Sequence, residues 1–239
     1  MLERNLVVGT MSAQIEQHLG MRIVAGEFPP GSALPIENEI CEAYGVSRTV
    51  VREAVKALAA KRLVEVSPRV GTRILPFSDW NLLDRDLLAW RLAAKFDDKI
   101  LEDIFEMRLC FEPRAAFLAA RDGTNEDHTT IRRHCSDIAN AYTTGLPPRI
   151  VAESSLSFHL AVINASRNGL FITIGSAVKS ALRLSFEHKN SQPVDPSKDI
   201  ALHEAVMQAI TQRQTKAAAE SMKNLLLAWR QSLLPLIKA

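Results

Sequence analysis

Two arginines lie four residues apart near the start of a helix-like segment, GVSRTVVREAVKAL, at residues 45–58. At that spacing Arg48 and Arg52 lie on one side of a helix, one turn apart. A guanidinium group has a planar fork of donors that binds two acceptors of a phosphate or a guanine base at once. The pair therefore indicates binding to a polyanion. The alternative interpretation is an ordinary solvated face of an amphipathic helix.

Two further arginines, Arg69 and Arg73, flank Gly71 a short distance along the chain. Residues 45–76 contain seven basic side chains against two acidic ones, a local excess of +5, although the whole chain has a formal net charge of only +2. Positive charge concentrated in one short segment is typical of nucleic-acid binding. The basic residues are Arg48, Arg52, Lys56, Lys61, Arg62, Arg69 and Arg73, and the acidic ones are Glu53 and Glu65.

Three predicted helices position these cations. Residues 12–25 form the first, and PIENEICEAY forms the second, which Gly45 ends as a C-cap. Ser47 is the predicted N-cap of a third helix that runs to about residue 62. Two short helices joined by a tight glycine-containing turn predict a helix-turn-helix. On the third helix the apolar face formed by Val51, Ala54, Val55 and Leu58 is separate from the basic face, so the helix can pack inward and present its cations outward.

Two β-prone segments, LVEVS and TRILP, follow the third helix and are joined by Pro68-Arg69-Val70-Gly71. This arrangement predicts a hairpin with a basic tip, which is the wing of a winged helix-turn-helix. A glycine at the tip allows the backbone to approach a narrow groove closely.

The segment from GEFPPGSALP to VGTRI closely resembles the winged helix-turn-helix domain of GntR-type bacterial regulators. The motifs PGSALP, VSRTVVREAVKAL and the later GT occur in the family's order over about fifty residues. The resemblance implies that Arg48, Thr49 and Arg52 contact DNA and that the wing approaches the minor groove. Asn38 stands where relatives often have an arginine. The resulting set of candidate DNA-binding residues is Asn38, Ser47, Arg48, Thr49, Arg52, Arg69, Gly71 and Arg73.

The remainder of the chain has helical periodicity without alternating strand patterns, so it predicts an all-helical bundle. The expected division is a DNA-binding domain at 1–76, a linker at 77–81 and a helical domain at 82–239. WNLLDRDLLAWRL and MRLCFEPRAAFLAA are similar to the FCD-type effector-binding domain of the FadR subfamily, in particular to sugar-acid repressors of the galactonate-operon type. The fold class is therefore mainly α, and the resemblance implies a homodimer.

Polar side chains lie on apolar faces of the predicted helices. Arg108 and Glu112 share such a face, where charges are costly unless they are paired. One interpretation is a structural ion pair, and the other is that Arg108 binds the carboxylate of a ligand. His159, His203 and His188 also lie on apolar faces, where a histidine is often a satisfied core residue. For His188 a cation near a helix C-terminus is an equally good explanation.

The resemblance also implies a metal element, which this chain retains only in part. SLSFH, from Ser155 to His159, resembles the family's D-x-x-x-H element, and His203 corresponds to its second histidine. Ser155 replaces the aspartate, and Leu225 stands where a third histidine often occurs. His159 and His203 are therefore an incomplete site, which predicts at most a weakly held divalent metal such as Zn or Ni. Direct hydrogen bonding to a small carboxylate is preferred, with Arg108, Ser155, His159, His188 and His203 as candidates.

Composition narrows the class of protein further. Apolar residues make up 47% and charged residues 23% of the 239 residues, as in globular proteins. Cys41, Cys110 and Cys135 are scattered, and the sequence has neither a signal peptide nor an apolar run long enough for a membrane span, so we expect a cytoplasmic protein.

The predicted function is that of a DNA-binding transcriptional regulator and not of an enzyme. We expect the regulator to be a repressor that is released or modulated by a small carboxylate. Two alternatives remain open at this stage. One is a metal-dependent enzyme that uses the histidine pair, and the other is a constitutive regulator with a decayed pocket. The sequence shows no nucleophile–base motif and no phosphate-binding loop, which disfavours the enzyme.

Overall fold

The computed structural model describes residues 10–68, 70–94, 98–177, 179, 182–183 and 195–237. The chain divides into two compact units, Met1–Phe96 and Asp97–Ala239. Among the helices in these described ranges, none has the length and apolar character to cross a membrane.

The first unit is a winged helix-turn-helix, as predicted. Its helices α1 to α3 precede a two-stranded antiparallel sheet in which Val64 pairs with Ile74 and Ser67 with Gly71. A short 3-10 helix, Phe77–Asp79, and helix α4 follow. The elements are α1 (Met11–Val24), α2 (Glu37–Tyr44), α3 (Arg48–Ala60), β1 (Val64–Ser67), β2 (Gly71–Ile74) and α4 (Arg85–Ala94).

The turn between α2 and α3 depends on a left-handed glycine. Gly45 ends α2 with φ of 65°, a conformation that other residues adopt only with strain. Ser47 is the N-cap of α3, as the sequence predicts, but its side chain makes no capping hydrogen bond. Val51, Ala54 and Leu58 are fully buried against α1 and the sheet, so the exposed face of α3 carries the cations.

Helix α4 belongs to the first unit. Its Leu87 and Trp90 lie in the same apolar cluster as α1 and α3, and Gly20 of α1 leaves the space that the Trp90 ring fills. Residues 77–81, predicted as a linker, contain the 3-10 helix and Trp80, whose indole N–H donates to the carbonyl of Leu75 at 3.0 Å. The compact unit thus ends at Phe96, beyond the predicted linker. The functional boundary between DNA-binding and effector domains stays a prediction.

Lys61, at the end of α3, holds α4 in place. The residue is 8% exposed, and its ammonium nitrogen lies 2.9 Å from Asp84, 3.0 Å from Asp86 and 3.3 Å from Glu16 of α1. Burial lowers the pKa of Lys61, but the hydrogen bonds that it donates to Asp84 and Asp86 outweigh that effect and raise the pKa. The lysine therefore stays charged and ties three segments of the first unit together.

The second unit is all-helical in its described residues, which confirms the predicted bundle. Its main apolar cluster joins α5, α6, α7, α9 and α10, with Phe105 stacked on Trp229. The helices are α5 (Asp98–Asp122), α6 (Asn125–Thr143), α7 (Pro148–Ala165), α8 (Gly169–Ala177), α9 (Pro196–Thr211) and α10 (Thr215–Ile237).

Replacing Gly20 with alanine tests the packing of α4. Within a helix this change normally stabilises by about 0.5–1 kcal/mol. Here a Cβ would overlap the buried ring of Trp90, so we expect G20A to lower the free energy of unfolding by about 1–3 kcal/mol. Urea unfolding followed by circular dichroism measures the change.

The matched control is Gly169→Ala, because a Cβ at Gly169 meets nothing within 4 Å. We expect G169A to leave stability unchanged or slightly raised. A G20A protein as stable as the parent would show that α4 is not packed on α1 in this way.

Candidate nucleic-acid interface and buried ligand site

The N-terminal turn of α3 presents a compact polar surface. Arg48, Thr49 and Arg52 are all exposed on it, and the preceding Ser47 is exposed as well. The apolar side chains of the helix point to the opposite side, into the core. The positive end of the helix dipole also lies here and favours anions. The surface is therefore positively charged and accessible to an anionic partner.

Arg52 is oriented by an acid that the sequence analysis did not select. Its Nε donates to both carboxylate oxygens of Glu37, at 3.0 and 3.1 Å. Glu37 lies in the first turn of α2, so the contact links the two helices of the motif. The side chains are 61% and 42% exposed, and such a pair contributes little stability, so its value lies in orientation. The sequence did contain a signal for this contact, namely an acidic residue in the first turn of α2, the helix before the basic helix α3.

The predicted wing residues have different environments. Gly71 has φ of 88°, which suits glycine at the end of the tip, and the neighbouring Val70 is exposed. Arg73 donates from a terminal guanidinium nitrogen to the carbonyl of Gly31 at 2.7 Å, so its side chain supports the loop before α2. Arg69 lies outside the described residues, and Asn38 is exposed on α2.

The second unit contains a buried charged cluster formed by Arg108, Glu112 and His159. Arg108 is 1% and Glu112 0% exposed. Nε of Arg108 donates to Oε1 of Glu112 at 2.6 Å, and Nδ1 of His159 lies 2.6 Å from Oε2 of the same carboxylate. The predicted pairing of Arg108 with Glu112 is therefore present, and His159 of α7 joins it. The ion-pair interpretation holds, which leaves the ligand role of Arg108 as a proposal.

Arg108 also lies over the ring of His159. Its NH2 nitrogen is 3.1 Å from Nδ1 and 3.3 Å from Nε2. A donor in the ring plane cannot be almost equidistant from both nitrogens without overlapping the carbon between them. The NH2 group therefore lies above the face of the imidazole, close to both ring nitrogens. On another side the guanidinium lies 5.3 Å from the centre of the Trp229 ring.

His203 of α9 lies beside His159, with the ring centres 5.8 Å apart and the rings nearly perpendicular. Nδ1 of His203 lies 2.8 Å from the backbone carbonyl of Asp199, to which it donates. The carboxylate of Asp199 in turn accepts a hydrogen bond from Tyr142 at 2.9 Å. The structure thus brings the two predicted histidines together. Asp199 and Trp229 were missed, although Trp229 lies one helical turn after Leu225.

Ser155 is the last described member of the predicted effector set. It is fully buried one turn before His159 on α7, so the two side chains share a face of the helix. Among the described residues its hydroxyl has no hydrogen-bond partner. A buried hydroxyl without a partner costs free energy unless a ligand or water satisfies it. His188 lies outside the described residues.

Burial raises the pKa of Glu112, but the charges and hydrogen bonds of Arg108 and His159 outweigh it and lower the pKa from 4.5 to about 2. The carboxylate therefore stays ionised in the interior. Its negative charge holds Arg108 and His159 in fixed positions.

Family models match both units of the chain. Residues 11–74 match the model for bacterial regulatory proteins of the gntR family, and residues 103–228 match the FCD domain. The first match lies within the winged helix-turn-helix, and the second spans the cluster at Arg108, His159 and His203.

Curated relatives match along most of their length. The uncharacterised HTH-type transcriptional regulator YieP of Escherichia coli K12 is 35% identical over 216 residues, which cover 90% of this chain and 92% of the relative. The galactonate operon transcriptional repressor of the same organism is 31% identical over 205 residues, with 85% and 88% covered.

Solved structures share the architecture. A Streptococcus agalactiae GntR structure is 27% identical with a TM-score of 0.53, and covers 92% of this chain and 99% of its own. Lar, described as controlling the agr system of Listeria monocytogenes, has a TM-score of 0.63 at 15% identity, with 96% and 99% covered. The second likeness supports the fold alone.

Fold and site together define a transcriptional regulator with a winged helix-turn-helix and an all-helical FCD effector-binding domain. The chain belongs to the gntR family of bacterial regulatory proteins. Its relatives are regulators and not enzymes, so they lend no support to the metal-dependent enzyme.

Replacing Glu112 with glutamine tests the charged cluster through pH. Because the pKa of Glu112 is lowered by folding, its contribution is complete above pH 4.5 and is lost as the pH falls towards 2. That contribution is about 3 kcal/mol. We expect E112Q to be less stable at pH 7 and to lose less stability between pH 5 and pH 3. Urea unfolding at each pH measures both changes.

The control is Glu153→Gln, which removes a partly exposed carboxylate of α7 that pairs with Arg183 at 3.2 Å. We expect E153Q to follow the pH dependence of the parent, because such pairs contribute little. An E112Q protein with the parent's full acid sensitivity would contradict the role given to Glu112.

Proposed function

We propose that this regulator is a repressor that binds operator DNA as a homodimer and is released by a small carboxylate such as a sugar acid. It acts in the bacterial cytoplasm, where its operator is found. The exposed surface of Arg48, Thr49 and Arg52 at the start of α3 is the observation that carries the proposal. The galactonate operon repressor among the relatives supports both the direction of regulation and the class of effector.

The N-terminal end of α3 is the part of the protein that reads the operator. The major groove admits an α-helix, and an arginine can bind O6 and N7 of a guanine together. Glu37 holds Arg52 ready for this contact from α2. Asn38, Ser47 and the wing around Gly71 complete the proposed DNA surface, and Arg69, which lies outside the described residues, is a further candidate. Arg73, tied to Gly31, contributes by holding the wing against the loop before α2.

A dimer fits this mode of reading because the winged helix-turn-helix of one subunit, called a head below, covers only half of the operator site. Two heads related by a two-fold axis read a pseudo-palindromic operator, and their spacing must match the helical repeat of DNA. An effector then releases the operator by favouring a different spacing of the heads. Such a ligand must bind one arrangement more tightly than the other, since equal affinity for both would shift nothing.

The proposed effector site consists of Arg108, Ser155, His159 and His203, with His188 as a further candidate. Arg108 offers the fork geometry that suits a carboxylate, and a guanidinium with five donors can serve Glu112 and a ligand together. The buried hydroxyl of Ser155 and the two imidazoles suit the hydroxyl groups of a sugar acid. A constitutive regulator with a decayed pocket is the competing possibility, and ligand binding distinguishes the two.

DNA binding is tested with Arg48→Ala and Arg52→Ala. We expect each variant to weaken binding to the DNA upstream of the regulated operon by about 1–3 kcal/mol, because a bidentate contact to a base is lost. Fluorescence anisotropy at several salt concentrations measures the affinity. The control is Arg132→Ala, which removes an exposed charge from α6 in the other unit.

We expect R132A to bind the operator like the parent. Equal affinities of the R48A, R52A and parent proteins would remove α3 from the interface. A parent protein that shows no preference for the upstream DNA over unrelated DNA would contradict the proposed function itself.

Effector binding is tested with Ser155→Ala. D-galactonate, D-gluconate and lactate are screened for an increase in melting temperature, since a ligand of the folded state must stabilise it. We expect S155A to be as stable as the parent, because its hydroxyl has no partner among the described residues. We expect it to bind an active acid about 5- to 10-fold more weakly, having lost one hydrogen bond.

Ser157→Ala is the matched control on the same helix. Its hydroxyl donates to the backbone carbonyl of Glu153 at 2.8 Å, away from the cluster. We expect S157A to keep the parent's affinity. If no acid stabilises the parent protein, the constitutive regulator becomes the better description.

A further inference from the structure

Two residues of the effector site have the hydrogen bonding of metal ligands. The network assigns the proton of each imidazole to Nδ1, which donates to Glu112 in His159 and to the Asp199 carbonyl in His203. A histidine supported in this way binds a metal through Nε2. Metal-binding histidines in proteins share this outer-shell support. His159 and His203 therefore fit one half of a metal site.

The other half does not fit. Both oxygens of Glu112 are engaged, one by Arg108 and one by His159. Ser155 offers a neutral hydroxyl, and Leu225 a buried aliphatic side chain. In the ranges that the structure describes, no three His, Cys, Asp or Glu side chains come together as metal ligands. Zinc sites in proteins use at least three such ligands.

Charge opposes a metal as well. The guanidinium of Arg108 is buried and lies directly on the ring of His159. A divalent ion on Nε2 of His159 would share that ring with a permanent cation in a medium of low dielectric, where like charges repel strongly. Glu112 carries one negative charge, which Arg108 already balances. A bound divalent ion would thus add two buried positive charges beside Arg108.

We infer that this effector site works without a metal. Arg108 supplies the positive charge for the ligand's carboxylate, while His159, His203 and the hydroxyl of Ser155 form hydrogen bonds with its hydroxyl groups. Ser155 and Leu225 are the two positions that exclude the metal. The inference deepens the proposed effector site and rests on that proposed function. The ligand class it names is a hydroxy carboxylate bound directly by protein groups.

The first test measures metal on the full chain. The protein is incubated with ZnCl₂ or NiCl₂, dialysed into metal-free buffer and analysed for metal content, and its melting temperature is measured with and without EDTA. We expect far less than about one equivalent per chain and no change with EDTA. About one tightly held equivalent, together with a lower melting temperature in EDTA, would overturn the inference.

The second test installs the missing ligands. In the double variant Ser155→Asp with Leu225→His, we expect zinc content to rise from near zero to about one equivalent per chain, with a higher melting temperature in ZnCl₂. The control Ser157→Asp places the same charge elsewhere on α7 and is expected to gain no metal. A folded double variant that binds no zinc would overturn the assignment to positions 155 and 225.

Folding of the double variant is checked by circular dichroism. If it does not fold, Ser155→Asp alone replaces it, with a smaller expected gain in zinc binding, and the metal content of the parent still decides the inference. Operator binding by the parent, measured with and without EDTA, separates the two proposals. A parent protein without specific DNA binding in either condition would contradict the proposed function. A metal-loaded parent that binds its operator would contradict only the metal-free site.

Discussion

A buried positive charge must be matched, and in this protein that requirement organises the effector domain. The guanidinium of Arg108 is buried and needs a negative partner, which Glu112 provides one helical turn away. The second oxygen of Glu112 then fixes His159, which ties α5 to α7. The rings of Trp229 and His203 close around the same point from α10 and α9. The polar cluster therefore connects four helices of the domain.

The winged helix-turn-helix solves a different problem. It must present cations to the solvent and still bury enough apolar side chains to form a core in a small domain. Helix α3 does this by separating its faces: Val51 and Leu58 are fully buried, while Arg48 and Arg52 remain exposed. Because one face carries the packing, the other is free to vary with the operator. This division explains why a family can keep one fold while its members read different DNA sequences.

Local signals made the first unit predictable. The left-handed turn at Gly45, the two faces of α3 and the hairpin at Gly71 each depend on neighbours in sequence, and all were expected from it. The pairing of Arg108 with Glu112 was visible as well, since the residues are four apart. The contacts that were missed join distant segments. His159 is 47 residues from Glu112, and Trp90 fills the space left by Gly20 seventy residues earlier. Periodicity shows that a face is apolar, but it does not show which distant ring packs against it.

The attachment of α4 through Lys61 and Trp90 bears on how such regulators can be recombined. The gntR family match ends at residue 74, yet Lys61 needs Asp84 and Asp86, and Gly20 needs Trp90. A chimera that joined the winged helix-turn-helix of one relative to the remainder of another after residue 74 would break these contacts. The buried ammonium group of Lys61 would be separated from its carboxylates, and the indole of Trp90 from α1. Joined after Phe96 instead, the first unit would keep Asp84, Asp86 and Trp90.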